Sequence, residues 1–513
     1  MHRKKRSMLF NKRLIIVGVL MLIQLVFVVL CISMLSDYTV YLYGFLTAVS
    51  VLVVVYIVNR PVNPTYKLAW VIPILLFPLF GGLLYILYLL QMPNSRFKRG
   101  LSEVYGATES YLTQKPGVLK ELCEKDAGCY RRGKYLWRRA GFPVYRGTAL
   151  TYLSPGEVKF SRLKQELLSA KHFIFLEYFI IEEGVMWDEI LKILVDKAKN
   201  GVDVRLIYDD VGCLNTLSGD YYAILRKMGI QCVAFNPFVP LLSTLQNNRD
   251  HRKIAVIDGH TAFTGGINLA DEYINAYERF GHWKDASVLI KGEAVWSFTV
   301  MFLQMWDFVT GTREDYSHYR PHCYHPEPFE DDGFVQPYGD SPMDDEFVGE
   351  NVYLSMISRA TRYVYINTPY LIVDNELMTA LTLAGKSGVD VKIVTPHHPD
   401  KKTVHMVTRS YYEELLKAGI EIYEYTPGFI HSKTVVADDE IASVGTANFD
   451  YRSLYLHFEC GVWAYQSRLV GDVKNDFITT LALCHKMTLE ECRRRKWSER
   501  FFSKILRMFA PLM

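Results

Sequence analysis

The chain has 513 residues, half of them hydrophobic and 22% charged, with a net charge of only +3. That length exceeds one ordinary core and asks for two to four units, and the near-neutral balance gives no global reason to expect a nucleic-acid partner. Nine cysteines, an odd number without a CxxC pair or zinc-like Cys/His spacing, argue against a disulfide framework or a metal knuckle.

Much of the apolar content lies before residue 92. The run 14–35 follows the basic start "HRKKRSMLFNKR". A secretory signal has an apolar region of about 7–15 residues and a small-residue cleavage site. This run is longer and reads as an uncleaved anchor. A second run, 40–58, is long enough for a hydrocarbon core of about 30 Å. The loop between them carries Asp37 and no Lys or Arg, whereas the outer flanks at Arg3–Arg13, Arg60 and Lys67 are basic. The positive-inside rule then puts the N-terminus and the segment after the second run in the cytoplasm. A third run, 70–90, contains Pro73, Pro78 and Gly81-Gly82. Read as a bent or re-entrant segment, with Arg96, Lys98 and Arg99 behind it, it keeps the body cytoplasmic; read as a straight crossing, it puts the body outside. Residues 1–93 are thus expected to form a multi-pass region of the cell membrane.

After a polar connector (94–140) the chain repeats itself. "HFIFLEYFII" recurs as "RYVYINTPYLI", "AKNGVDVRLIYDD" as "GKSGVDVKIVTPH", and "LRKMGI" as "LLKAGI". Short apolar runs alternating with helical stretches predict α/β units with parallel strands buried on both faces. The repetition predicts two pseudo-twofold-related halves, 141–312 and 346–490, joined by a Pro-, Gly- and Asp-rich connection, 313–345.

Each half ends in the same motif: "HRKIAVIDGHTAFTGGIN" from His251 and "HSKTVVADDEIASVGTAN" from His431, 180 residues apart. Along a strand side chains alternate, so His251 and Lys253 share a face and Asp258 falls on the other. That parity gives Asp258, and likewise Asp438, a part in fixing the following turn. Brought together, the two copies hold His251, His431, Lys253, Lys433 and the amides of Asn268 and Asn448, without a metal-like carboxylate cluster. Fixed cations and amide donors suit the oxygens of a phosphodiester, and a histidine pair near neutral pKa can supply one nucleophile and one general acid/base. Asp285, 34 residues after His251, and Glu459, 28 after His431, sit among apolar residues and are candidates for orienting the imidazoles. The chemistry needs neither metal nor cofactor.

At these residues the chain resembles the phospholipase D superfamily, whose signature is a paired HxKx4D followed by G-[GST]-x-N. Within it, the membrane-type N-terminus, "FLEYFII", "NNRDHRKIAVIDG", "RSYYEELLKAGIEIYEYTPGFIHSK" and "VGTANFDYRSL" resemble bacterial cardiolipin synthases. The resemblance implies catalytic parts for His251, Lys253, Asp258, His431, Lys433 and Asp438. It also implies a ping-pong transfer in which one phosphatidylglycerol gives its phosphatidyl group to a histidine and a second takes it up. By that likeness His251 is the nucleophile and His431 the acid/base. The pattern departs at Gly266-Ile267 against Thr446-Ala447, where the halves are not equivalent. Two other readings use the same site: a membrane-bound hydrolase or nuclease, and a transphosphatidylase with another alcohol acceptor. A scaffold with a dead enzyme body would tolerate loss of a motif His or Lys, and both motifs are intact. The final stretch, 491–513, reads as a basic amphipathic helix suited to an anionic membrane surface; the alternative is a helix packed on the core.

Overall fold

A computed structural model describes residues 39–90, 95–238 and 244–512; the expected anchor at 14–35 lies outside them. The chain forms two compact units. One holds residues up to Lys98, 237–248 and the C-terminus from Met508; the other holds 99–236 and 249–507.

In the first unit the described helices are Thr39–Asn59, Pro64–Leu76 and Pro78–Leu90. Asn63 starts the second by accepting a hydrogen bond from the Thr65 N–H at 3.0 Å, with Pro64 in the first turn. The run 70–90 is not one straight element. It breaks at Phe77, because Pro78 has no N–H to donate and disfavours helical geometry in the residue before it. Gly82 then packs against Ser50, and Val53, Ile57, Ile74 and Tyr85 close an inner apolar cluster. Leu52, Val55, Leu68, Leu75, Leu76 and Leu84 remain exposed. No helix among the described residues is long and apolar enough to cross a membrane. The full crossing expected at 40–58 is therefore not displayed, while the break in 70–90 agrees with the bent reading of that run; the helices fold on one another and turn apolar side chains outward.

The second unit carries the repeat. Its first half supplies β1 (Thr148–Leu153), β2 (Phe173–Tyr178), β3 (Asp203–Asp209), β4 (Gln231–Phe235), β5 (Lys253–Ile257), β6 (Thr261–Gly265), β7 (His282–Lys284) and β8 (Ser287–Gly292). The second supplies β9 (Phe334–Asp340), β10 (Tyr363–Asn367), β11 (Leu371–Ile372), β12 (Asp390–Pro396), β13 (Glu421–Tyr425) and β14 (Gly428–Ile430). It continues with β15 (Thr434–Ala437), β16 (Ile441–Gly445), β17 (Phe449–Asp450), β18 (Glu459–Tyr465) and β19 (Cys484–Lys486). One sheet has the order β1-β8-β6-β5-β2-β3-β4, the other β19-β13-β12-β10-β15-β16-β18-β9. Strand for strand the central orders match, which is the architecture expected of two α/β halves.

The sheets are mixed, however, and not parallel throughout. Only β2-β3-β4 and β10-β12-β13 run parallel. The motif strands β5 and β15 lie antiparallel to β2 and β10, and β6 and β16 return antiparallel beside them. The cause is local: a tight turn at Asp258-Gly259, or at Asp438-Asp439, joins each motif strand to the next, and such a hairpin admits only antiparallel pairing. β9 also falls inside 313–345, so part of the stretch read as connection is an edge strand of the second sheet.

The halves meet along a helix, Val295–Thr310, buried from Val295 to Asp307 and packed against β2 and β5 of one sheet and β9 of the other. The described part of the stretch 491–513 lies in two helices, Leu489–Arg494 and Trp497–Met508, and a short turn at Ala510–Leu512.

Candidate active site

Two short parallel pairings between the halves bring the motifs together. β14 pairs with β7, and the His431 N–H donates to the Lys284 carbonyl at 2.7 Å. On the other side Asp250 bridges to Phe458, and the His251 N–H donates to the Phe458 carbonyl at 2.9 Å. The residue after each accepting carbonyl is a carboxylate, Asp285 in one case and Glu459 in the other. Each imidazole thereby receives its carboxylate from the opposite half. Nδ1 of His251 lies 2.9 Å from both Glu459 oxygens, and Nδ1 of His431 lies 2.7 Å from Asp285 Oδ2. Spacing within each half pointed to Asp285 for His251 and Glu459 for His431; the structure exchanges them.

The lysines sit beside these pairs. Both Nζ atoms donate to the carbonyl of the histidine two residues before, and Lys433 Nζ is also 2.8 Å from His431 Nδ1. All four groups are buried. Phe179 packs edge-on against His251, while Tyr273 and Trp283 wall His431. Burial pushes His251 down to about 3, against the opposing pull of Glu459. His431 is driven well below its ordinary value by burial and by the charges of Lys433, Lys253 and Lys401. Burial likewise lowers Lys253 to about 7 and Lys433 to about 8, and raises Asp285 to about 7. For Glu459 burial works against the charge, yet His251, His457 and Lys253 outweigh it and hold the carboxyl well below the usual range. The site therefore holds two neutral imidazoles, one firm carboxylate and three groups poised near pH 7–8.

The non-equivalent position in the motif now has a reason. A Cβ on Gly266 would lie 2.1 Å from Asp285 Oδ1, so only glycine leaves that carboxylate its place. At the matching site Thr446 Oγ1 donates to Glu459 Oε2 and accepts from the Cys460 N–H at 2.9 Å. One half makes room for its carboxylate and the other holds it with a hydroxyl.

Asp258 and Asp438 point elsewhere. The Asp258 carboxylate accepts the N–H groups of Lys171, His172 and Phe173 at 2.8–2.9 Å. Asp438 accepts those of Thr361, Arg362 and Tyr363 at 2.7–2.9 Å. Each thus pins the motif hairpin to the loop entering β2 or β10, from a left-handed backbone (φ 49° and 57°) that Asp tolerates better than most residues. The amides of the two Asn residues are also engaged: Asn268 Nδ2 donates to Tyr273 Oη at 2.6 Å and Asn448 Nδ2 to Asp450 Oδ2 at 3.0 Å. Both frame the site, and Asn448 Oδ1 is buried without a partner.

Sequence reasoning passed over two features. Beneath His251 lies a buried ion network: Arg249 Nε–Asp209 at 3.1 Å, Arg252–Asp250 at 3.0 Å and Arg252–Glu177 at 2.6 Å. The second copy replaces these motif neighbours with Phe429, Ile430 and Ser432. The other feature is His457, whose ring centre is 5.5 Å from that of His251 and whose Nδ1 lies 3.7 Å from Glu459 Oε1. Its place two residues before Glu459 on an alternating segment was the available signal. His251, His457 and Glu459 offer donor atoms within 4.8 Å of one another, as do Glu350, Asp374 and Glu376. Two imidazoles and a carboxylate are a set zinc accepts, but here the Nδ1–carboxylate contact already occupies His251 and Glu459.

The family model described as "Cardiolipin synthase, PLD-like domain" matches residues 163–306 and 353–481, one block for each half and each containing its motif. A Halalkalibacterium halodurans protein described as cardiolipin synthase is 35% identical over 91% of this chain and 92% of its own length.

The chain belongs to the cardiolipin synthase, PLD-like family.

Other members agree with this reach. A cardiolipin synthase of Geobacillus sp. strain WCH70 is 36% identical over 88% of the chain and 89% of its own. A Streptococcus mutans protein with no activity in its description is 46% identical over 90% and 99%. The N-terminal model "Phospholipase_D-nuclease N-terminal" matches residues 48–88. The fold is shared with a phosphatidylserine synthase of Haemophilus influenzae Rd KW20, at TM-score 0.54 and 15% identity over 74% of this chain and 99% of that one.

Proposed function

We propose that this protein is a membrane-associated phosphatidyltransferase that makes cardiolipin from two molecules of phosphatidylglycerol. The observation that carries the reading is the exchange of carboxylates between halves: neither histidine has its partner without the other motif, so the two motifs form one site. Glu459, held ionised, fixes the proton of His251 on Nδ1 and leaves the lone pair on Nε2 for attack on phosphorus. His431 shares its Nδ1 with Asp285 and Lys433, groups that exchange protons near pH 7–8, and takes the acid/base part.

In the first step the anionic diester raises the proton affinity of His431, which is then protonated at Nε2. Nε2 of His251 bonds to phosphorus, the ester bond to glycerol breaks, and His431 gives that oxygen its proton. In the second, His431 removes a proton from the terminal hydroxyl of another phosphatidylglycerol; the freed oxygen takes the phosphorus and His251 leaves. Lys253 and Lys433 lie where the anionic oxygens gather charge. The arriving diester raises their proton affinity and keeps them ammonium. Relatives described as cardiolipin synthases and the outward apolar side chains of the N-terminal helices support association with a membrane. The basic flanks Arg60, Lys67, Arg96, Lys98 and Arg99 are the reason for placing the catalytic body on its cytoplasmic side.

Purified protein given labelled phosphatidylglycerol alone tests the reading. Cardiolipin with glycerol released in equal amount is expected. Phosphatidic acid as the main product would mean that water replaces the lipid hydroxyl and the enzyme is a hydrolase.

A further inference from the structure

A C-terminal amphipathic helix ordinarily lays its apolar face on the core and shows its charges to water. The helix Trp497–Met508 does the reverse. Its buried residue is Ser503, and its basic side is turned onto the helix Lys402–Lys417. Arg500 lies 3.5 Å from Glu413, Arg507 lies 3.2 Å from Glu414, and the Arg507 guanidinium stands 3.9 Å from the centre of the Tyr411 ring. Arg493, in the helix before, reaches the same Glu413 at 3.8 Å.

The opposite side carries Trp497, Phe501, Phe502 and Ile505, exposed by 77, 47, 56 and 36%. Trp497 and Phe501 stack at 5.3 Å, with Phe502 edge-on to Phe501, so the patch is a continuous aromatic surface. Exposed Arg494, Lys496 and Lys504 border it. Single exposed apolar side chains are ordinary, but an aromatic patch held outward by ion pairs behind it marks an interaction surface.

We propose that the outward face of the helix Trp497–Met508 docks into the surface of an anionic phospholipid bilayer, with Trp497, Phe501, Phe502 and Ile505 entering the interface. The choice of lipid over protein as the occupant rests on the reading of a phosphatidylglycerol-using enzyme. Aromatic rings flanked by Lys and Arg match the boundary between acyl chains and anionic headgroups. The fixed ion pairs to Glu413 and Glu414 present this face ready-made. Docking would hold this surface of the catalytic unit at the layer from which its substrate comes.

The test uses the full chain reconstituted into vesicles whose phosphatidylglycerol carries bromine on its acyl chains. Fluorescence due to Trp497 is the difference between the wild type and Trp497→Phe, a change that keeps an aromatic ring at an exposed position. Bromolipid is expected to quench that difference at least about twofold while aqueous iodide leaves it unchanged, as for an interfacial Trp. Quenching should weaken when brominated phosphatidylcholine replaces phosphatidylglycerol; equal quenching in both would refute the anionic preference. Quenching by iodide alone, or by neither agent because another protein surface covers the patch, would overturn the proposal. The readout is independent of turnover: normal cardiolipin synthesis with a water-exposed Trp497 defeats the docking alone, and a lipid-embedded Trp497 without cardiolipin defeats the enzymatic reading alone.

Discussion

Glu459 lies 2.9 Å from Nδ1 of His251 although 208 residues separate them, and the pair joins the two halves of the repeat. A neutral acceptor at this place would still fill the space but could no longer hold the imidazole proton on Nδ1 or stabilise the cationic ring. Glu459→Gln is expected to fold normally and lose turnover by about 10²–10⁴-fold, the range for an orienting carboxylate behind a catalytic histidine. Cardiolipin formation by the purified variant, with circular dichroism as the control for folding, measures this.

Gly266 is the corresponding point of weakness on the His431 side. In Gly266→Ala the added methyl must displace the Asp285 carboxylate, whose atoms are its three nearest neighbours. A fall in kcat is expected at nearly unchanged KM, because lipid binding does not use that carboxylate. Steady-state kinetics showing a wild-type kcat would mean that Asp285 does not need this position.

Asp258 belongs to the fold by geometry. Asp258→Asn loses the ionised acceptor of three backbone N–H groups, for a cost of about 2–4 kcal/mol at ordinary values for charge-assisted hydrogen bonds. The midpoint of denaturant unfolding should fall while activity per folded molecule stays within a few-fold. A variant as stable as the wild type but inactive would return Asp258 to the chemistry.

The lysines set a pH signature of two opposite slopes. Their proton affinities in the native chain, about 7 for Lys253 and 8 for Lys433, are below those of a free amine. From about pH 7 to about 10 the unfolded chain therefore holds more protons, and the stability contributed by these two amines rises with pH. That contribution is absent below about pH 7, where both states are protonated. Activity needs the ammonium form, so kcat/KM, which reports the free enzyme, should decline through the same window. The decline in kcat should lie at higher pH, since bound diester raises both affinities. Matching pH profiles for the two constants would contradict the assignment.

Much of this site is legible in the sequence because its chemistry is spaced locally. His251 with Lys253, and His431 with Lys433, are two residues apart, and the alternation of a strand correctly turned Asp258 and Asp438 away from them. The matched strand orders follow from the same repetition. The exchange of Asp285 and Glu459 was not legible. It depends on the pairings β7–β14 and Asp250–Phe458, which join segments 146 and 208 residues apart, and no spacing within one half encodes them. The antiparallel course of β5 and β15 was hidden by apolar runs that look alike in either direction. For the helix Trp497–Met508 the two faces, and the preference for a membrane over the core, were legible in the sequence; the ion pairs to Glu413 and Glu414 that hold the basic side inward were not, because they lie some 90 residues earlier.

The central claim is that a single site spanning both halves passes the phosphatidyl group through His251. Rapid quenching of the wild-type enzyme with phosphatidylglycerol labelled at phosphorus, followed by peptide mapping under alkaline conditions, tests it directly. The label is expected on the peptide containing His251 and should disappear when unlabelled phosphatidylglycerol is added before the quench. Label on the His431 peptide, or cardiolipin formed with no protein-bound phosphorus at any time, would contradict it.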